Sequence, residues 1–235
     1  PVSSVTAGLA YLADRNEIKG AYGVGIDGDT KEITINGRAL SIYHPSLDDI
    51  TQTNANSFAS RISDDKKEVT TVYTRGMSYV RFGNHVYYAG KRNDPYADNR
   101  HYVFAIGNLT PADQVPAAGK AQYHGKSTYF VDKGNTIFGR VEERNGDAYF
   151  NVDFGNKTIV GEASSGWIGV HQVPLAGTIN GNSFSGTKDG VYMQGHFYGP
   201  NAAELGGTFK GMRKEGGGER GIMGSFGAKF ATEIP

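Results

Sequence analysis

Phe197-Tyr198-Gly199-Pro200-Asn201-Ala202-Ala203-Glu204-Leu205-Gly206-Gly207-Thr208-Phe209 is the stretch on which the fold turns. It lies between two strand patterns. Proline fixes φ and has no N–H, so Gly199-Pro200-Asn201 ends the strand before it. Gly206-Gly207 opens the next strand where backbone bends or passes close to a neighbour. Phe197 and Phe209 are expected to anchor the core on either side. By spacing alone, the stretch is a long connection between two hairpin strands.

Working outward, the chain from Gly119 onward is regular. Strands are predicted near Lys120–Val131, Thr136–Glu142, Ala148–Phe154, Thr158–Glu162, Val170–Thr178, Ser183–Gly186, Val191–Tyr198, Leu205–Gly211 and Ile222–Phe230. Asn145-Gly146, Asn180-Gly181 and Asp189-Gly190 read as turns between them. Ala148, Phe150, Val152 and Phe154 fall on one face, with Tyr149, Asn151 and Asp153 on the other. Short alternating strands joined by hairpin turns predict a closed antiparallel up-and-down β-barrel. A barrel of about eight strands is filled by its own side chains, so a large ligand has no room inside.

The N-terminal part is less regular. Val5–Leu12 fits either a short helix or a strand across a sheet, and Leu47–Arg61 has room for a short helix. Gly23-Val24-Gly25-Ile26-Asp27-Gly28 matches the letters of a dinucleotide fingerprint, but Lys31–Ile35 alternates as a strand where that motif needs a helix. It is read as a hairpin turn. Asn36-Gly37 is a tight-turn signal, and Val69–Thr74, Ser78–Phe82 and Tyr102–Ile106 read as further strands. The expectation is a mainly β chain: a small N-terminal handle and ligand-binding module over residues 1–114, then an eight-stranded antiparallel barrel over 115–235.

Composition narrows the chemistry. Lys plus Arg and Asp plus Glu both number 24, so net charge supplies no attraction to nucleic acid or membrane. With no cysteine among 235 residues, disulfides, thiolate metal sites and a cysteine nucleophile are excluded. No apolar run approaches the roughly 18 residues of a membrane helix. Nucleophile elbows, His-Glu-x-x-His pairs and phosphate loops are all missing, so no enzyme is expected.

The stretch that opens this section, Phe-x-Gly-Pro-x-Ala-x-Glu-x-Gly-Gly-x-Phe, resembles the signature of the β-barrel lobes of transferrin-binding protein B and related Gram-negative surface proteins. Val152-Asp153-Phe154-Gly155-Asn156-Lys157 and Thr110-Pro111-Ala112-Asp113-Gln114-Val115-Pro116 are similar to that family's strand end and handle-to-barrel link. The resemblance extends over about Asn108–Phe230. A single lobe without a lipid-bearing cysteine is similar to the hemophilin branch, whose members are secreted haem carriers. That resemblance implies a secreted or cell-surface hemophore, a Slam-type translocator, and delivery of haem to an outer-membrane TonB-dependent receptor.

Candidate ligands lie in the front half, which holds nine of the 14 tyrosines. His44, His85 and His101 each border a turn or loop and have a tyrosine beside them. A porphyrin needs an axial imidazole and aromatic walls. Under the haem reading, one or two of these histidines ligate iron, Tyr43, Tyr87, Tyr88 and Tyr96 line the pocket, and Arg92 or Lys91 faces the propionates. His124, His171 and His196 read as structural. The alternative is a surface protein whose tyrosine-rich loops grip a host iron carrier or complement regulator without any cofactor.

Overall fold

The structure, a computed structural model, describes residues 5–43, 58–73, 75–90, 94, 97–133, 141–165 and 171–235. The C-terminal half is the expected barrel. Its strands are β10 (Lys120–Asp132), β11 (Val141–Asp153), β12 (Thr158–Ser164), β13 (Gln172–Asn180), β14 (Ser183–Lys188), β15 (Val191–Tyr198), β16 (Glu204–Glu215) and β17 (Gly218–Ile234). Each pairs antiparallel with the next, and β17 closes on β10. Nine strands, β1 to β9, precede them among the described residues.

The barrel is solid. Phe150, Phe184, Phe197, Phe209 and Phe226 fill it, with Phe209 and Phe226 stacked at 6.4 Å and Phe184 against Phe197 at 5.4 Å. Each such ring contributes roughly 1.5–3 kcal/mol when fully buried. One mouth is closed by ions: Arg144 donates to Glu215 at 3.0 and 2.5 Å and to Glu142 at 2.9 Å.

Two details differ from expectation. Asn145-Gly146 is not a turn, because β11 runs straight through it and pairs Gly146 with Ser127. A Cβ at Gly146 would collide with the Ser164 backbone, so the glycine serves a close approach between strands. One long strand therefore replaces part of two expected ones; positions 136–140 of the earlier one lie outside the described residues. Pro174 sits within β13, yet β13 pairs with β14 only from Thr178 to Asn180. Its missing N–H thus costs no ladder bond on that side.

The handle has two sheets. Strands β1 (Thr6–Asp14), β2 (Tyr22–Gly23), β6 (Phe58–Ile62), β7 (Glu68–Tyr73), β8 (Val80–Tyr87) and β9 (Arg100–Asn108) form one sheet in the order β2-β1-β9-β8-β7-β6. Strands β3 (Ile26–Gly28), β4 (Glu32–Ile35) and β5 (Arg38–Ser41) form a small sheet packed on its outer face through Ile33, Ile35, Leu40, Leu12 and Phe104. Val5–Leu12 takes the strand option. Phe58–Arg61, the end of the expected helix, lies in a strand, and residues 47–57 are outside the described set. The Gly23–Gly28 run is not a hairpin turn but carries parts of β2 and β3. Asn36 (φ 50°) and Gly37 (φ 77°) form the tight turn between β4 and β5.

The inner face of the large sheet lies on the barrel. Tyr11, Ile18, Val86 and Val103 pack with Phe130 and Met223, whose side chains project outward from β10 and β17. Asn84 donates to Thr128 Oγ1 at 2.8 Å, and Ser225 Oγ donates to the Gly83 carbonyl at 2.8 Å. A shared apolar cluster with satisfied polar contacts makes handle and barrel one packed body.

Candidate partner-binding site

The 197–209 stretch is the handle's anchor. Gly199 (φ 75°) turns the chain out of β15, and Thr110 donates its N–H to the Phe197 carbonyl and its Oγ1 to the Gly199 carbonyl at 2.9 and 2.6 Å. Glu204 then sends its carboxylate into the handle, where the backbone N–H groups of Ser78, Tyr79 and Val80 donate to it at 2.6, 2.8 and 2.9 Å. Burial raises the Glu204 pKa above the ordinary carboxylate value, against the opposing pull of those three donors and Lys229.

On this fixed frame the outer face of the large sheet carries a row of polar and aromatic side chains. Register places Glu68 beside Tyr87, Tyr87 beside Arg100, and Arg100 beside Asp14 across β7, β8, β9 and β1. At one end of the row the Tyr22 hydroxyl donates to Asp14 Oδ2 at 2.8 Å, and Arg100 lies 3.8 Å from Asp14. At the other end Arg38 stacks on the Tyr87 ring at 4.8 Å and pairs with Glu68. Tyr22 is 44% exposed. Two tyrosines and two arginines, each held by a carboxylate, a ring or a guanidinium, make a preorganised contact surface of the residue types that dominate protein interfaces.

The histidines expected to share a slot do not meet. His85 and His101 are consecutive in neither strand nor face: His85 pairs with Tyr102, and His101 with Val86. His85 therefore points to the outer face, with Nδ1 2.8 Å from Thr70 Oγ1 and Nε2 3.6 Å from Glu68. His101 points to the barrel and packs edge-on against Phe130 at 4.9 Å. Both are buried, and burial lowers each pKa to about 4, Arg38 adding to the effect at His85. Neither imidazole borders a loop as the sequence suggested; both lie within strands.

The aromatic residues divide as well. Tyr87 belongs to the row above, whereas Tyr88 packs against the cluster under the sheet. Tyr43 follows the far end of β5, with Lys31 Nζ 5.6 Å from its ring. Five residues of extended chain separate it from Arg38, about 16 Å at strand rise. His44, Lys91, Arg92 and Tyr96 lie outside the described residues. Among the described residues no cluster of three or more His, Asp or Glu side chains is arranged to hold a metal ion, and His85 and His101 of the expected porphyrin site lie on opposite faces of the large sheet.

Sequence reading missed Tyr22, Arg100 and Glu204. Nothing local marks the first two: Tyr22 meets Asp14 across neighbouring strands at a spacing that carries no pattern, and Arg100 meets Asp14 from a strand distant in sequence.

Residues 115–230 match the family described as C-lobe and N-lobe beta barrels of Tf-binding protein B. The C-terminal half is a transferrin-binding protein B-type barrel. A transferrin-binding protein B of Haemophilus influenzae is 28% identical over 171 residues, which is 62% of this chain and 27% of that protein. An uncharacterised H. influenzae protein is 29% identical over 197 residues, 78% of this chain and 62% of its own length. The chain spans about a quarter of the length of the first transferrin-binding relatives it matches. In three dimensions, a transferrin-binding protein B from Haemophilus parasuis Hp5 superposes with TM-score 0.66 at 22% identity, covering 98% of this chain and 46% of that one. HpuA from Kingella denitrificans, solved in complex with human haemoglobin, gives 0.53 at 14% identity over 100% of this chain and 90% of its own. These structures share the fold: a handle beside a closed barrel.

Proposed function

We propose that this transferrin-binding protein B-like chain is a bacterial cell-surface protein of iron acquisition that grips a host iron-carrying protein through the outer face of its handle. The observation that carries the reading is the Tyr22–Asp14–Arg100–Tyr87–Arg38–Glu68 row, a stiff patch of hot-spot residue types on the large sheet and the adjoining strand β5. The names of the relatives support the class of partner: transferrin for one set, haemoglobin for HpuA. The barrel is the platform, and no chemical step is involved.

Haem capture is the competing reading. It now rests on His44, which follows the exposed Tyr43 in sequence. One experiment separates the two. The protein is mixed with haemoglobin, with transferrin and with free haem, then passed over a sizing column with Soret detection. Co-elution with an intact carrier, abolished by Tyr22→Ala with Tyr87→Ala, supports the gripping surface. A Soret band travelling with the protein alone, and lost in His44→Ala, overturns it.

A further inference from the structure

At the opposite end of β7 from the Tyr22–Tyr87 row lies a cleft of about 390 Å³ between handle and barrel, lined by Tyr73, Arg75, Gly76, Met77, His124, Gly125 and Lys229. That volume is at the lower end of the range of small-molecule sites. Its walls carry a guanidinium, an ammonium and an imidazole, and no carboxylate. Among the described residues neither Arg75 nor Lys229 has an ion-pair partner.

The two cations come from different modules and are brought together by the contact already described. Glu204 fixes the 78–80 backbone, which holds the loop carrying Arg75 and Gly76 against β17. Gly76 has φ 70°, and a Cβ there would lie 3.3 Å from Lys229 Nζ, so the turn approaches the ammonium closely. Glu204 is the register neighbour of Lys229 on β16, and its oxygens are occupied by the three backbone donors. The ring of His124 stacks edge-on with Tyr149 at 5.0 Å, which fixes the third wall.

We propose that this cleft is a binding site for a compact polyanion, a small molecule bearing two or more carboxylate or phosphate groups. Arg75 supplies a planar fork that takes two oxygens side by side, Lys229 a point charge, and His124 a further donor. Tyr73 and Met77 give the apolar side that a carbon skeleton requires.

The test is calorimetric titration of the intact protein with citrate, as the carboxylate probe, and pyrophosphate, as the phosphate probe, at low salt. One-to-one saturable binding of either is expected, and which one binds more tightly identifies the class. Arg75→Ala and Lys229→Ala should each weaken it about ten- to hundredfold, the loss of one charged hydrogen bond, while Lys214→Ala leaves it unchanged. Saturable binding of neither probe, or affinity undiminished in the double variant, overturns the proposal. As a check that needs no variant, the His124 ring resonances of the wild-type protein must shift on titration; unmoved resonances also overturn it.

Discussion

Glu204 of the barrel accepts the backbone N–H of Tyr79 of the handle at 2.8 Å, and it takes those of Ser78 and Val80 as well. The residue stands in the middle of the stretch that marks the barrel, so one glutamate both opens β16 and positions the other module. Glu204→Ala leaves three backbone donors without their acceptor, that of Val80 buried and the other two partly so. Since an orphaned buried group costs about 1–3 kcal/mol, a loss of about 1–3 kcal/mol is expected in urea unfolding. Because burial raises the Glu204 pKa, its ionisation opposes folding. Its contribution therefore falls as pH rises from the ordinary carboxylate value through the raised one, and that decline should be missing in the variant.

The buried histidines predict acid sensitivity. His85 and His101 have folded pKa values of about 4 against 6.5 when unfolded. The unfolded chain binds the extra protons, so stability is full above pH 6.5 and is lost as pH falls toward 4. Each histidine accounts for roughly 3 kcal/mol over that interval. His101→Phe keeps a ring against Phe130 and should reduce the loss by about half. Unfolding midpoints measured at pH 7.5 and 4.5 will show it.

Gly227 is where the handle rests on the barrel. A Cβ there would come within 2.5 Å of two ring carbons of Phe82, a side chain with no exposure. Gly227→Ala should destabilise by about 1–3 kcal/mol through overpacking. Phe82→Ala removes the opposing ring, so the double variant should be more stable than the sum of the two single losses implies. A double-mutant cycle in denaturant reads this coupling.

At the barrel mouth, Arg144→Met strands Glu142 and Glu215 without their common partner. The side chain is 9% exposed, so about 3 kcal/mol is the expected cost. Arg144 holds the Glu215 carboxyl below its ordinary value, which makes this stabilisation present above the ordinary carboxylate pKa and lost as pH falls through the lowered one. Thermal unfolding at pH 7 and pH 3.5 should show a smaller acid-induced drop in the variant than in the wild type.

The barrel was legible because its information is local. Alternation along Ala148–Phe154 and Val191–Phe197, and the Gly-Pro break at Gly199-Pro200, each report on a neighbour few residues away. Asn145-Gly146 misled because the same dipeptide serves a turn or a close approach, and only the facing Ser164 backbone distinguishes them. The handle hid its site for a related reason. Whether His85 and His101 share a face depends on the pairing of β8 with β9, not on the residues that flank them. Likewise Arg100 meets Asp14 only after β9 has paired with β1, a pairing that spans almost the whole handle. The eight-residue spacing of Tyr22 and Asp14 carries no signal of its own.

Amide hydrogen exchange of the protein, alone and with saturating transferrin or haemoglobin, tests the central claim most directly. The account predicts that a carrier slows exchange at Asp14–Gly23, at Arg38 and its turn, and at Tyr87 and Arg100, while β11 to β13 exchange as before. Protection confined to the outer strands of the barrel, or no protection with either carrier, would contradict it.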